Sequence, residues 1–162
     1  MAILNFNNYI KEERLMKKPV GIAAGVALIY DNKILLVHPT SSSWSKGTCG
    51  IPKGRIEESE DSMEAALREL KEETGIHLTP DQLNSSPETV EIFKPNSELR
   101  RQLTYYVCEI NSLDEAGLSS ESISKDQLQA EEIDWAKFVG IDEAYRITSR
   151  SQLIILDRHL RR

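Results

Sequence analysis

The sequence predicts an α/β fold in which a mixed β-sheet carries helices packed against it. Three observations point there. Several β-prone runs are spread along the chain, one helix with clear start and stop signals interrupts them, and two short helical patterns close the chain. Sheets and helices in that order bury their apolar faces best as stacked layers. At 162 residues the chain has the length of one domain, because about 150 residues bury close to 70% of the surface an unfolded chain exposes. We therefore expect a single domain over residues 1–162, with residues 1–18 as a polar lead-in.

Val20 to Tyr30 (VGIAAGVALIY) is a continuous apolar and small-residue run, the pattern of a strand buried on both faces. Asp31-Asn32 is a turn signal and Lys33 to His38 a second β-prone run, which together predict a hairpin. Thr40 to Gly50 (TSSSWSKGTCG) is loop chemistry. A helix follows: acids from Glu58 to Asp61 precede it, Met63, Ala66, Leu67 and Leu70 recur at helical spacing, and Gly75 stands just past its end as a C-cap. Thr89 to Lys94 and Gln102 to Ile110 are β-prone, with a bend at Pro95-Asn96. Asn111 to Gln129, rich in Ser, Asp and Glu, reads as a long mobile loop with room for one helical turn. Ile133 to Val139 reads as a last strand. Asp142 to Thr148 and Ser151 to Leu160 read as short closing helices, the second with Leu153, Ile154, Leu156 and Leu160 inward.

Composition excludes several function classes. Lys and Arg number 20 against 26 Asp and Glu, a net charge of −6, which argues against a long polyanion held across the whole surface. Cys49 and Cys108 are too few for a disulfide scaffold and lack the paired spacing of a zinc site, and His38, His77 and His159 have no partner at metal spacing. No apolar run approaches the ~20 residues a bilayer demands, and charges at Lys11, Glu12, Glu13 and Arg14 interrupt any secretory signal. The expectation is a cytoplasmic protein with no membrane contact; oligomeric state is not legible.

The chemistry is carried by the helix. With ~100° per residue, Glu72 lies roughly 60° to one side of Glu69 and Glu73 roughly 40° to the other. Three carboxylates thus share one stripe beside the apolar face. Like charges at those spacings destabilise an isolated helix by a few tenths of a kcal/mol per pair, a cost that a hard divalent cation would turn into a gain. Taken alone, the helix also fits an ordinary solvated ladder of Glu64, Arg68 and Glu72. The flanking residues decide between these. Gly54, five residues, Glu60, seven residues, then Arg68-Glu69-Leu70-Lys71-Glu72-Glu73-Thr74-Gly75-Ile76 resembles the Nudix box of pyrophosphate hydrolases at every specified position. Average residue usage makes such a match by chance on the order of 1 in 10 million.

That resemblance implies a Nudix-like α/β/α sandwich around a mixed sheet, with the box as a loop-helix-loop unit. It implies that Glu69, Glu72 and Glu73 bind Mg2+ or Mn2+, with Arg68 beside them in the catalytic group and the backbone carbonyl of Gly54 or Lys53 as a further ligand. Glu60 and Arg68 are implied to be mainly architectural, as are Gly54 and Gly75. The reaction implied is attack of water on a phosphorus of a diphosphate linkage, assisted by the cation. Its base is Glu69 or an acid of the distant stretch Glu121, Asp126, Glu131 and Glu132, of which Glu131 is the choice here as base or as a further metal ligand.

Pro52-Lys53-Gly54 resembles the entry of Nudix enzymes that act on dinucleoside polyphosphates, inositol pyrophosphates or 5′-triphosphorylated RNA, although Cys49 stands where those relatives often have Trp. Lys53 and Arg55 are candidate phosphate contacts. Trp44 is either a base-stacking lid or packing across the sheet edge. Arg100 and Arg101 are candidates for a polyphosphate tail. Alternation puts Tyr105 and Tyr106 on opposite faces, so only one can line a pocket, and Tyr105 is the candidate. The expected function is a metal-dependent pyrophosphohydrolase for a nucleoside diphosphate linked to another group, first a dinucleoside polyphosphate or an RNA 5′ end. Nucleotide-sugar, ADP-ribose or nucleoside triphosphate hydrolysis stays open. A non-catalytic nucleotide-binding regulator is the alternative of another class, disfavoured because every box acid is present.

Overall fold

The computed structural model describes residues 22–83, 86–93 and 100–162; the expected lead-in over residues 1–18 and the bend at Pro95-Asn96 lie outside them. Strand β1 (Ile22–Tyr30) runs into β2 (Lys33–Pro39) through Asp31 and Asn32, whose φ values of 49° and 54° are both left-handed. That is the two-residue turn whose twist matches antiparallel strands, and Asp and Asn tolerate it better than other side chains. Strand β3 (Lys53–Arg55) leads to helix α1 (Ser62–Thr74). Strands β4 (Glu88–Phe93), β5 (Arg100–Ile110) and β6 (Ile133–Val139) follow, and helices α2 (Ile141–Ile147) and α3 (Leu153–His159) come last.

The six strands form one mixed sheet in the order β4-β5-β1-β2-β6, with β3 also paired to β1. Strand β1 is its axis. One edge pairs in parallel with β5 from Ile22 to Tyr30; the other meets β3 at its start and β2 at its end. Period-2 alternation sorts the core into two layers. Ala24, Val26 and Leu28 face Ala65, Ala66 and Leu70 of α1, whereas Ala23, Ala27 and Ile29 face Ile155 and Leu156 of α3. This is an α/β/α sandwich around a mixed sheet.

Two expectations need correction. The segment Asn111 to Gln129 is not a solvated mobile loop. It holds 3-10 turns at Leu113–Ala116 and Lys125–Gln127, and buried Ala116, Leu118 and Ile123 dock it on the α1-side core. Its polar composition masked three apolar anchors. In the last helix Ile154 points outward at 43% exposure, while Ile155, Leu156 and Leu160 are buried. A 3-10 turn at Arg150–Gln152 precedes α3 and shifts the phase of the helical wheel.

Candidate active site

Helix α1 is held at both ends. The Asp61 carboxylate accepts from the Glu64 N–H at 2.8 Å, and Gly75, at φ 72°, returns its N–H to the Lys71 carbonyl. These caps satisfy terminal groups that the helix itself leaves unpaired. Between them Arg68 ties the helix to the preceding loop. Its Nε donates to Glu60 Oε2 at 2.9 Å and its Nη2 to Glu60 Oε1 at 2.5 Å, a bidentate pair. Nη2 also donates to the Arg55 carbonyl, and Nη1 to one oxygen each of Glu69 and Glu72 at 2.9 and 3.1 Å. The guanidinium beside Glu60 holds that carboxyl below the usual carboxylate range. Only a planar fork can serve so many acceptors at once.

Glu69 and Glu73 are sequestered, at 9% and 6% exposure. The Glu69 carboxylate lies against Gly54, where a Cβ would come within 2.1 Å of it. Glu73 Oε2 accepts from the Lys53 N–H at 3.2 Å. Burial pushes the Glu73 carboxyl up to about 8, with the Lys53 charge opposing and the Glu69 and Glu132 charges adding to the rise. Burial also raises Glu69, against the pull of Arg68. Glu72 is exposed.

Beside these acids opens a cleft of about 200 Å³. Lys53, Glu73 and Glu132 form its charged end; Val37, Pro39, Ile51 and Ile133 supply apolar wall, and Thr48, Gly50 and Gln152 complete it. Strand β2 turns toward Glu132 because the Thr40 N–H donates to the Glu132 carbonyl and the Thr40 hydroxyl to that of Ala130. The Gln129 N–H reaches the Glu73 carbonyl. A loop distant in sequence is thereby fastened to α1 and carries Glu132 to the site.

Of the residues singled out from sequence, Glu69, Glu72, Glu73, Arg68, Glu60, Gly54 and Lys53 come together. The others do not. Glu131 is exposed and does not line the cleft; its neighbour Glu132 does. Tyr105 is fully buried on the α3 side, its hydroxyl bonded to Glu88 and His159, because odd positions of β5 face α3 and even ones face α1. Trp44 stacks on His38 with ring centroids 3.8 Å apart and meets Trp135 edge-on, packing at the sheet edge with 51% of its surface exposed. Arg55 and Arg101 are exposed outside the cleft. Arg100 opens β5 opposite Phe93. The acidic stretch before β6 included Glu132, but Glu131 was chosen over it, and Gln152 was missed. A signal existed for Gln152, which stands three and four residues before Ile155 and Leu156 and so shares their buried stripe.

Two buried carboxylates with a third acid nearby have raised proton affinity, and hard divalent cations favour the same oxygen donors. The donor set therefore fits Mg2+ or Mn2+, although among the described residues no three acidic, His or Cys side chains converge closely enough to hold an ion as they stand. Arg68 bridges two of these acids. It occupies an oxygen of both Glu69 and Glu72. Among the described residues no helix is long and apolar enough to cross a membrane.

A family model for the NUDIX domain matches residues 19–156. The chain belongs to the Nudix family. Nudix hydrolases act on phosphorus-containing anhydrides and generally use Mg2+ or Mn2+. Over 69 residues the chain is 36% identical to the methanol dehydrogenase activator of Bacillus methanolicus, covering 43% of this chain and 37% of that protein. Over 63 residues it is 38% identical to the 8-oxo-dGTP diphosphatase of Proteus vulgaris, covering 39% of this chain and 56% of that protein. The chain thus spans less than two thirds of either relative. The MutT NUDIX hydrolase structure from Burkholderia pseudomallei shares the fold, with a TM-score of 0.66 over 87% of this chain and 98% of that one at 19% identity.

Proposed function

We propose that this Nudix protein is a pyrophosphohydrolase that cleaves a phosphoanhydride in a nucleoside diphosphate linked to another group. The observation that carries the reading is the pair of sequestered acids, Glu69 and Glu73, of which Glu73 lines the charged end of the cleft with Lys53 and Glu132. In this reading Glu69, Glu72 and Glu73, with the Gly54 carbonyl, would hold the cation, the two oxygens now bonded to Arg68 being freed for it. The cation supplies charge neutralisation at the phosphate and acidifies water. Lys53 offers a point charge to a phosphate oxygen. Glu132 takes the proton of the attacking water: it lines the cleft and its carboxylate makes no hydrogen bond or ion pair among the described residues, whereas Glu69 is assigned to the cation in this reading. Arg68 and Glu60 position the box loop against the helix.

Dinucleoside polyphosphates and 5′-triphosphorylated RNA come first as substrates, supported by the Pro52-Lys53-Gly54 entry. Nucleoside triphosphates are the second reading. The cleft volume favours them, being smaller than the ~300–1,000 Å³ typical of drug-sized ligands and so suited to one base, and one relative is named for hydrolysing 8-oxo-dGTP. The test is release of phosphate, pyrophosphate and mononucleotide from a panel of these compounds, ADP-ribose and a nucleotide sugar, with Mg2+ and with Mn2+. Turnover of at least one compound with either metal is expected. No turnover of any would overturn the enzyme reading in favour of a binding module.

A further inference from the structure

We infer that Gln152 reads the base of the bound nucleotide and selects a base presenting a carbonyl oxygen at that edge. The inference rests on the nucleotide reading above. Gln152 is 4% exposed, sits in the 3-10 turn that precedes α3, and forms part of the cleft wall. Its Oε1 accepts from the Ile51 N–H at 3.0 Å. A backbone N–H can be met only by the oxygen end of an amide, so turning the group over would set donor against donor. The fold thus decides which way the amide points.

The amide lies over Gly50, where a Cβ would stand 2.4 Å from Nε2 and 2.7 Å from Oε1. Any side chain at that position would push it out of place. Its Nε2 makes no hydrogen bond among the described residues, and it is not one of the sealed polar atoms that lack a partner, which are His38 Nε2, Gln129 Oε1 and Thr148 Oγ1. The group is thus not sealed off, and its residue forms part of the cleft wall. A ligand that displaces water from this donor must supply an acceptor, or the donor is left unpaired at a cost.

Glutamine on an open surface meets a donor or an acceptor equally well by rotating. Gln152 cannot, since rotation would strand the Ile51 N–H. It offers the cleft donors only. A carbonyl oxygen on the base completes the bond, whereas an exocyclic amino group at the same place opposes N–H to N–H and leaves both unpaired. Rejection by an unmet buried donor is a stronger discriminator than a missing contact in an apolar pocket. Apolar side chains of Val37, Pro39 and Ile133 supply surface for the ring, and Lys53 with Glu73 marks the phosphate end.

Hypoxanthine and adenine differ at carbon 6 in this respect, as oxo and amino bases. Equilibrium binding of inosine 5′-diphosphate and adenosine 5′-diphosphate to the full chain tests the inference without requiring turnover. The wild type should favour the inosine compound by at least ~10-fold. Gln152→Met, similar in length and without donors, should bring the two within about twofold, and Gly50→Ala, which displaces the amide without removing it, should do the same. Equal binding of both nucleotides by the wild type, binding of neither, or a preference that persists in both variants would overturn the inference. The hydrolysis panel would then still stand or fall on its own result.

Discussion

Gly54 and Glu73 show how closely backbone and carboxylates are fitted at the site. A methyl group at position 54 would occupy the space of the Glu69 carboxyl, at 2.1 Å, and the obstacle is a group that Arg68 already holds. Gly54→Ala is therefore expected to dislodge Glu69 and lower turnover at least ~10-fold, with a loss of stability of about 1–3 kcal/mol for overpacking a tight contact. Activity and urea unfolding measured side by side check both parts; unchanged activity would show that Glu69 does not need this seat. Glu73→Gln probes the opposite balance. It keeps an oxygen for the Lys53 N–H but removes an acid whose ionisation burial and its acidic neighbours disfavour. Turnover should fall by ~100-fold or more because a charged cation ligand is lost, while the melting temperature without metal stays level or rises. Retained activity with the same metal dependence would show that Glu73 is no ligand.

Helix α1 is the element that makes the site, and it stands on local terms. Replacing Asp61 by Ala removes the bond to the Glu64 N–H and should cost about 1 kcal/mol of stability. The carboxylate stripe starts two turns further on, so Asp61→Ala should shift the denaturant midpoint while changing kcat less than about twofold. A large loss of kcat with unchanged stability would contradict this division. The same locality explains why this helix is legible in the sequence. Caps, apolar spacing and box acids of α1 lie within a few residues of one another, so sequence spacing alone exposes them, and the β1–β2 hairpin was legible for the same reason. Glu132 and Gln152 were not, because long-range contacts bring them in. Thr40, at the end of the neighbouring strand β2 but some ninety positions earlier in the chain, fastens the loop of Glu132, and the Ile51 bond to Gln152 spans 101 positions. Tyr105 failed for a related reason: alternation gave its face relative to Tyr106, but nothing local said which face carried the cleft.

At the scale of the whole molecule, both layers of the sandwich contribute to the cleft, and the α3 side also has a polar clasp of its own away from it. Tyr105 donates to Glu88 Oε2 at 2.5 Å, His159 Nε2 lies 3.2 Å from the same oxygen, and Arg158 Nη1 reaches both Glu88 and Tyr105. Four residues thus join β4 and β5 to the end of α3. The Tyr105 hydroxyl foremost, then the charges of His159 and Arg158, hold the Glu88 carboxyl below the usual carboxylate range. A carboxyl that binds its proton less tightly when folded than when unfolded contributes stability above its unfolded value, about 4.3. That contribution is lost as pH falls through the lower folded value. Glu88→Gln removes the titration while preserving an acceptor for Tyr105. The variant should be less stable than wild type at pH 7, and the gap should close as the pH drops below about 4. Urea midpoints at several pH values follow it, and taking the difference between the two proteins cancels Glu60 and every other acid that titrates in the same range. Because none of the four lines the cleft, hydrolysis at pH 7 should be the same in both proteins. Parallel stability curves would mean the clasp contributes only packing, and a loss of activity would mean the clasp and the cleft are coupled through β5.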